Sequence, residues 1–237
     1  MENKIIIANM KMYMNLNDIN SYIELLTDKI TDNVIICPSS IYIPYFIDKF
    51  NHIGIQNVYY KEGAYTGEIS PKVVHDFGVE YVIVGHSERR EYFNETDLLI
   101  NEKIKACVDN KLKVILCVGE TLNEKNNLEK NEILKKQISI ALENISSDNY
   151  KNVIIAYEPR WAIGTNIIPT IKEIEDTISY IKSIVKDIRI VYGGSVNEEN
   201  ISKINKISNL DGFMIGASCV NPLKFIKIVN IVNKTNI

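Results

Sequence analysis

The sequence predicts an α/β protein, a (β/α)8 barrel in which eight parallel strands alternate with an outer ring of helices. Eight short β-branched runs, amphipathic segments between them and a length of 237 residues favour this fold class. The runs are continuously apolar, as expected for parallel strands that are buried on both faces. An open, doubly wound sheet is the alternative, although the lack of G-x-G-x-x-G after the first run weakens a dinucleotide-binding version.

The predicted elements follow this alternation along the chain. The strands are Ile5–Ala8, Val34–Cys37, Ile53–Val58, Tyr81–Val84, Val114–Val118, Val153–Tyr157, Ile188–Tyr192 and Gly212–Ile215. Apolar residues recur at helical spacing over Leu16–Ile30 and Ile171–Val185, which predicts two helices. The Lys/Glu/Asn-rich stretch Asn123–Lys136 is predicted as a solvated helix with its approach. Predicted caps near helix starts are Asn17, Asp18, Asp97 and Asn197.

Composition excludes several classes of function. The chain carries 27 Lys and Arg against 30 Asp and Glu, a formal charge of −3, so no broad basic face is expected for nucleic acid or an anionic membrane. Hydrophobic residues make up 46%, enough for a sizeable core. No apolar run approaches the ~18 residues that span a bilayer. Because no linker or composition break divides the chain, one domain is expected over residues 1–237.

The cysteines and histidines form no metal-binding pattern. No two cysteines have CxxC spacing and the three histidines are scattered, so no metal site is predicted. The cysteines are Cys37, Cys107, Cys117 and Cys219. They are expected to be reduced structural thiols, which together with the lack of a signal-peptide pattern at the start favours a cytoplasmic protein.

Candidate catalytic side chains follow the first and fourth strands. In such a barrel, the carboxyl ends of the strands carry the chemistry. Lys11 is either a solvated lysine or a fixed cation over an anionic substrate. His86 follows Gly85, which allows a sharp turn, and precedes a short predicted helix. The helix N-terminus predicts a lowered pKa and a neutral imidazole, with a buried structural histidine as the alternative. The run Glu88-Arg89-Arg90 is interpreted as an ion-pair network.

The sixth strand ends at a carboxylate that a long apolar loop follows. Glu158 costs free energy at the end of an apolar strand unless it is used or paired. The loop from Pro159 to Asn166 contains the only tryptophan, Trp161, and is long for a connection between strand and helix. We interpret it as a lid that closes over Glu158, with a packed surface loop as the alternative.

Small residues follow the last two strands. Tyr192-Gly193-Gly194-Ser195 ends the seventh strand and Ile215-Gly216-Ala217-Ser218 ends the eighth. Backbone N–H groups of these two loops, with a helix N-terminus nearby, commonly bind phosphate in barrels. A further long loop, Tyr60–Pro71, follows the third strand, away from the side of the barrel where phosphate is expected to bind. It is interpreted as an oligomer contact or a flexible surface loop.

Taken together, these motifs resemble those of the triosephosphate isomerase family. The longer matches are Asn9-x-Lys11, Gly85 through Arg90, Tyr157-Glu158-Pro159, Trp161-Ala162-Ile163-Gly164-Thr165 and Tyr192-Gly193-Gly194-Ser195-Val196. The shorter ones are Gly63-Ala64, Thr66-Gly67-Glu68, Cys117-x-Gly119-Glu120 and Asp211-Gly212-Phe213. They occur in the family's order over essentially the whole chain, so the resemblance implies that family's barrel fold.

The resemblance also implies a reaction and site residues. It implies the interconversion of D-glyceraldehyde 3-phosphate and dihydroxyacetone phosphate through an enediolate, in glycolysis and gluconeogenesis. Glu158 would be the base and His86 the neutral electrophile. Lys11 and Asn9 would bind the substrate, Lys11 by its positive charge and Asn9 by orienting and polarising it. Backbone N–H groups of Gly164, Ser195, Gly216 and Ala217 would hold the phosphate. No metal or organic cofactor is implied, and the family's homodimer would place Thr66 in the partner's site.

Five positions depart from the family pattern. Arg160 stands where an aliphatic residue is usual, Asn166 where glycine is common and Met10 where tryptophan is usual. Ala217 replaces the second glycine of the eighth-strand pair. A gapless comparison places Pro169 where the family has a backbone N–H that bonds the equivalent of Tyr192 in the closed state. Because proline has no such donor, either that bond is missing or the register shifts by one residue. These departures concern the lid and the phosphate contacts rather than the chemical groups of the site.

Two other functions are compatible with a phosphate-binding barrel. One is a different barrel enzyme, such as a sugar-phosphate synthase or another isomerase. Such an enzyme would lack the combination of Lys11, His86 and Glu158 with an apolar lid. The other is a barrel retained as a binding or surface-adhesion protein, for which a broken site is expected. Because the site groups are all present in the sequence, the isomerase is the favoured interpretation.

Overall fold

The eight strands form one parallel sheet that curls into a barrel. The computed structural model describes residues 3–163 and 167–234. The strands are β1 Ile5–Asn9, β2 Val34–Cys37, β3 Gly54–Ile55, β4 Tyr81–Val84, β5 Lys113–Val118, β6 Val153–Tyr157, β7 Arg189–Tyr192 and β8 Gly212–Ile215. Their order is β2-β1-β8-β7-β6-β5-β4-β3. A parallel bridge between Ile36 and Ile53 joins the two edge strands, so the predicted barrel is confirmed.

Helices surround the barrel in the predicted alternation. They are α1 Leu16–Leu26, α2 Ile43–Phe46, α3 Pro71–Asp76, α4 Ser87–Tyr92, α5 Asp97–Asp109, α6 Leu122–Asn126, α7 Lys130–Ala141, α8 Ile171–Ile184, α9 Ile201–Ile204 and α10 Pro222–Asn233. Short 3-10 turns lie at Ser40–Tyr42, Ser147–Asn152, Arg160–Ala162 and Ala217–Val220. In the described part of the chain, no helix combines the length and the apolar character that crossing a membrane requires.

Strand residues alternate between two apolar environments. Ile5 and Ile7 point into the barrel, where they pack with residues such as Ile83 and Ile115. Residues between them, such as Ile6, pack instead against the surrounding helices. Because both faces are buried, each strand is a continuous apolar run, which is why the sequence pattern located the strands.

The third predicted strand was too long. Ile53–Val58 was predicted, but ladder pairing stops at Ile55. The Gln56 side chain donates hydrogen bonds to the carbonyls of Lys11 at 2.8 Å and Cys37 at 3.0 Å. The chain therefore leaves the sheet where a polar side chain ties it to the ends of β1 and β2.

Helix ends differ from the predictions because side-chain caps decide them. Helix α1 is capped by Asn15, whose Oδ1 accepts the N–H groups of Asn17 at 2.9 Å and Asp18 at 3.1 Å. Predicted as a cap itself, Asp18 instead completes a capping box by accepting the Asn15 N–H at 3.0 Å. The helix ends at Leu26 rather than at the predicted Ile30, and Asp28 follows with a left-handed φ of 62°.

Three further predictions at helix ends have mixed outcomes. The cap of α5 is Thr96 rather than the predicted Asp97. Asn197 precedes α9 and accepts the Asn200 N–H at 3.0 Å, in line with its predicted position. The predicted solvated helix is split into α6 and α7, with Leu128 between them at a φ of 61°.

Candidate active site

The carboxyl ends of the strands bring the predicted site residues to one cavity of about 140 Å³. The predicted residues that line it are Asn9, Lys11, His86, Glu158, Ser195, Gly216 and Ala217. Gly164 was also predicted, but it lies outside the described residues. Residues far apart in sequence thus meet because each follows a different strand of the same barrel.

His86 and Glu158 form a buried pair in this cavity. The Nε2 atom of His86 lies 3.2 Å from Oε1 of Glu158, and the two residues are 5% and 2% exposed. On the other side of the ring, Nδ1 accepts the Glu88 N–H at 3.3 Å, at the N-terminus of α4. A nitrogen that accepts a hydrogen bond carries no proton, so the neutral imidazole has its proton on Nε2, facing Glu158.

The pair also determines the charges in the site. Burial lowers the pKa of His86, but the Glu158 carboxylate outweighs it and the pKa is raised. The predicted lowering by the helix N-terminus is therefore wrong in this arrangement. Burial raises the pKa of Glu158, yet His86 and the Ser87 N–H, which donates to Oε2 at 3.2 Å, lower it overall. Glu158 is thus a charged carboxylate at a buried position.

Lys11 is held in a strained backbone conformation at the mouth of the barrel. Its φ is 51°, in the left-handed region that few non-glycine residues adopt. Its carbonyl accepts hydrogen bonds from Ser39 Oγ at 2.7 Å and Gln56 Nε2 at 2.8 Å, while its N–H donates to Asn9 Oδ1 at 3.2 Å. With a side chain only 15% exposed, Lys11 is a fixed cation rather than a solvated strand end.

Glu88 lies beside the cavity and pairs with Lys11 rather than with the neighbouring arginines. Its Oε1 lies 2.6 Å from Lys11 Nζ, and its Oε2 lies 3.4 Å from His86 Nδ1. Arg89 pairs with Glu95, and Arg90 pairs with Asp97 at 2.6 Å. The sequence signal for Glu88 is its place two residues after His86, at the start of a helix whose first turn faces the site.

The side of the cavity formed by the β7 and β8 loops has the small residues expected for phosphate binding. Ser195 has a left-handed φ of 44°, its carbonyl accepts Asn200 Nδ2 at 2.9 Å, and its hydroxyl donates to the Ala162 carbonyl. A Cβ on Gly216 would lie 3.4 Å from Lys11 Cε. Ala217 begins a 3-10 turn, a conformation open to alanine, so its replacement of glycine is accommodated.

The loop after β6 is fixed at its start by a buried carboxylate. Glu120 Oε1 accepts the indole N–H of Trp161 at 2.9 Å and the hydroxyl of Tyr157 at 3.2 Å. Burial raises the pKa of Glu120. The unusual Arg160 lies 3.8 Å from Glu91 on α4 and donates its N–H to the Glu120 carbonyl at 2.9 Å. The sequence singled out Glu120 only as part of a motif, because its contacts with Trp161 and Tyr157 form only in the folded barrel.

Of the two alternatives for Pro169, the missing tyrosine hydrogen bond is compatible with the geometry. The Tyr192 hydroxyl is buried and has no hydrogen-bond partner in the described part of the chain. Pro169, which lacks an N–H, occupies the position where the resemblance implies the donor. The hydroxyl is therefore without the contact that the family pattern implies.

Several residues that line the cavity were not predicted. They are Tyr13, Ile163, Gly193, Val196, Asn197, Met214 and Ser218. Ile163 and Val196 appeared only within matching motifs, and Asn197 only as a helix cap. Ile163, Val196 and Ser218 each lie beside a predicted residue, and only the closed barrel shows which of a predicted residue's neighbours face the cavity.

The fold and the site define the class. A parallel barrel that joins a carboxylate, an imidazole and a fixed ammonium at the carboxyl ends of its strands is an enzyme equipped for proton transfer on an anionic substrate. Comparison with known proteins gives the family. The family model described as triosephosphate isomerase matches residues 4–232, and the chain belongs to that isomerase family of glycolysis.

Curated relatives carry the same name over nearly their full length. The triosephosphate isomerase of Thermodesulfovibrio yellowstonii is 42% identical, over 97% of this chain and 99% of the relative. That of Clostridium tetani is 38% identical over 95% of both chains, and that of Clostridium botulinum is 36% identical over 97% of this chain and 100% of the relative. The sequence analysis left two alternatives, a different phosphate-binding barrel enzyme and a barrel retained as a binding protein. The match to these relatives supports neither of them.

Proposed function

We propose that the chain interconverts D-glyceraldehyde 3-phosphate and dihydroxyacetone phosphate through an enediolate, in glycolysis and gluconeogenesis. The observation that carries the proposal is the His86–Glu158 pair, with the imidazole proton on the nitrogen that faces the carboxylate. A charged base and a neutral hydrogen-bond donor are the two groups that proton transfer next to a carbonyl requires. A carboxylate base, a neutral histidine and a closing loop are the established pattern of this enzyme family.

The reaction assigns one step to each group. Glu158 removes a proton from the carbon beside the carbonyl, while the Nε2–H of His86 donates a hydrogen bond to the carbonyl oxygen. Negative charge then develops on that oxygen, and Lys11 stabilises it. Glu158 returns the proton to the former carbonyl carbon. A proton also passes, by way of His86 Nε2, from the hydroxyl oxygen that becomes the new carbonyl to the former carbonyl oxygen, which completes the isomerisation. Because Glu158 and His86 lie 3.2 Å apart, substrate atoms can come between them only when the carboxylate moves away from the ring.

The phosphate would lie beside the loops after β7 and β8. We assign it to the backbone N–H groups of Ser195, Gly216, Ala217 and Gly164. Support comes from the small residues of these loops and from the Lys11 ammonium beside Gly216. Closure of the loop after β6 would exclude water, which protects the enediolate phosphate from elimination.

The test is Glu158→Gln, which keeps the shape of the side chain and removes its charge. We expect turnover of glyceraldehyde 3-phosphate in a coupled assay to fall by roughly 10³-fold or more, with an unchanged circular dichroism spectrum. Glu102→Gln, in an exposed pair with Lys105, is the control and should retain full activity. Full activity in Glu158→Gln would refute the base assignment.

We further propose a homodimer in which the loop after β3 of one copy enters the other copy. Residues 61–68 of this loop are exposed, with Thr66 near the tip. A groove of about 440 Å³ beside the catalytic cavity is lined by Lys11, Glu88 and exposed apolar side chains such as Phe93. Exposed apolar side chains around a groove favour burial against a second copy.

Thr66→Arg tests the dimer, because a charged side chain at the loop tip would be desolvated in the groove. We expect the sedimentation coefficient to shift toward the monomer at micromolar concentration. Ser183→Arg, on the exposed face of α8, is the matched control and should remain dimeric. An unchanged sedimentation profile for Thr66→Arg would contradict the proposed contact.

A cytoplasmic location is the corresponding proposal for the compartment. The four cysteines are buried and free rather than paired in disulfides, which is compatible with a reducing compartment. Fractionation of cells that express the chain would test it, with recovery in the membrane or secreted fraction as the contrary result.

A further inference from the structure

Lys125 contacts both sides of the loop that follows β6. It lies in the last turn of α6, within the stretch predicted as a solvated helix. Its Nζ atom is 3.6 Å from the centroid of the Trp161 ring and 3.3 Å from Oε1 of Glu173. Trp161 lies at the start of the loop and Glu173 in the first turn of α8, just after the loop ends. One ammonium therefore spans the two ends of the loop.

At the start of the loop, the indole is held on its edge and on its face. Glu120 accepts the ring N–H at 2.9 Å, and Lys125 lies over the ring as a cation on a π face. Glu120 directly precedes Thr121, the cap of α6, and Lys125 lies in that helix. The position of Trp161 is thus set by one neighbouring segment.

At the end of the loop, the partner of Lys125 is the residue that fixes the start of α8. Glu173 Oε2 accepts the Thr170 N–H at 2.7 Å and the Thr170 hydroxyl at 2.9 Å. The Thr170 hydroxyl oxygen accepts the Glu173 N–H at 3.2 Å, which completes a capping box. Lys125 binds the other oxygen of the same carboxylate, so it is joined to the residue at which the loop ends.

The residues after Trp161 reach the phosphate side of the cavity. The Ala162 carbonyl accepts the Ser195 hydroxyl, and Ile163 lines the cavity itself. A displacement of the indole would therefore move two residues that face the phosphate contacts. Lys125 does not line the catalytic cavity, so any effect on turnover must act through the loop.

We propose that Lys125 is a positioning residue that ties the two described ends of the loop after β6 together and so sets the position of Ala162 and Ile163 on the phosphate side of the cavity. The proposal rests on the proposed isomerase function. An exposed ion pair alone contributes little. The cation must act through its simultaneous contacts with the ring and the carboxylate, and its removal should have a moderate effect rather than abolish activity.

The test replaces Lys125 by Met, which keeps the length of the side chain and removes its charge. Trp161 is the only tryptophan, so quenching of its fluorescence by acrylamide reports on this residue alone. We expect Lys125→Met to raise the quenching constant about twofold and KM about threefold to tenfold, with a smaller change in kcat. Lys125→Arg should restore both values, because a guanidinium also stacks on an indole and pairs with a carboxylate.

Lys172→Met is the matched control. Lys172 lies on α8 and pairs with Asp176 at 3.3 Å, but its side chain is 83% exposed and makes no ring contact among the described residues. Its loss should change neither the quenching constant nor KM. If Lys125→Met behaves like this control, the proposal is overturned. A change in quenching without a change in KM would also overturn it, because the loop would then be placed independently of Lys125.

A double-mutant cycle tests the connection between the two ends. Glu173→Gln retains an oxygen that can accept the Thr170 N–H but loses the charge that attracts Lys125. It should raise Trp161 quenching in the unmodified chain and have no effect in Lys125→Met. Additive effects would refute coupling through the ammonium. If the unmodified chain lacks isomerase activity, the proposed function fails, and the quenching cycle alone decides whether Lys125 couples the two ends.

Discussion

The two ends of the barrel contain the same kinds of charged side chain in different surroundings. At the amino end, Glu80 lies 3.0 Å from both His52 Nδ1 and Lys113 Nζ, and all three side chains are partly exposed. At the carboxyl end, His86 and Glu158 are almost completely buried. Exposed pairs contribute modestly to stability, whereas the buried pair is held in place by backbone groups around it. The same chemistry thus serves stability at one end and reactivity at the other.

The largest expected difference between the two ends concerns their lysines. Lys11→Met should lower turnover by about 10³-fold, because it removes the cation that stabilises the developing negative charge. Lys113→Met, at the amino end, should retain activity within about twofold, because its partner Glu80 contacts none of the site residues that the structure describes. The coupled isomerisation assay measures both. Equal losses in the two variants would mean that the ends do not differ in function.

The second comparison concerns side-chain amides that bridge strands. Gln56→Ala should lower the free energy of unfolding by about 1–2 kcal/mol, because it removes one of the two donors that each of the Lys11 and Cys37 carbonyls has. Turnover should also fall about tenfold as Lys11 is released from its left-handed conformation. Asn33→Ala removes a matching contact to the Lys4 carbonyl at the amino end and should lower stability alone. Urea unfolding and turnover of both variants decide the point.

A smaller effect is expected from pH at the amino end. Burial raises the pKa of Glu80, but His52 and Lys113 lower it below its usual value of 4.5. A carboxyl whose pKa is lower in the folded state stabilises the protein above its unfolded pKa, and that contribution is lost as the pH falls through the folded pKa. Glu80→Gln should therefore cost about 1 kcal/mol or less at pH 7. The difference should shrink as the pH falls below 4.5 and vanish once the pH is below the folded pKa of Glu80. A difference that persists in acid would contradict the assignment.

The smallest expected effect is at Tyr192. Its buried hydroxyl has no hydrogen-bond partner in the described residues, so Tyr192→Phe should leave stability unchanged or raise it by about 0.5 kcal/mol. Turnover should stay within about twofold. A tenfold loss of turnover would show that the hydroxyl gains a partner during the reaction, and it would place Tyr192 among the residues that control the loop. Thermal unfolding and the coupled assay measure the two quantities.

The sequence predicted the elements whose cause is local. The strands were found because burial on both faces makes each one a continuous apolar run. The candidate residues were found because each directly follows a strand, and strand ends meet in a closed barrel. His86 and Glu158 needed no knowledge of tertiary contacts to be selected.

Other features depend on contacts that no local pattern encodes. Gln56 was placed inside a predicted strand, since only the closed barrel brings the Lys11 carbonyl to its side chain. The left-handed backbone of Lys11 is likewise imposed by its neighbours. Lys125 was assigned to a solvated helix, because a charged residue in a polar stretch gives no sign of an aromatic ring opposite it.

The short β3 strand has a consequence for the order of folding. The ring is joined between β2 and β3 by a single bridge, and Gln56 fastens the same junction from the side of the site. This junction links the two edge strands of the sheet, and its amides should exchange with solvent before those of the central ladders. The junction that completes the ring also locks the backbone of Lys11. A chain in which the other seven strand junctions are formed and this one is open would be compact. The Lys11 ammonium of such a chain would not be in position for the substrate.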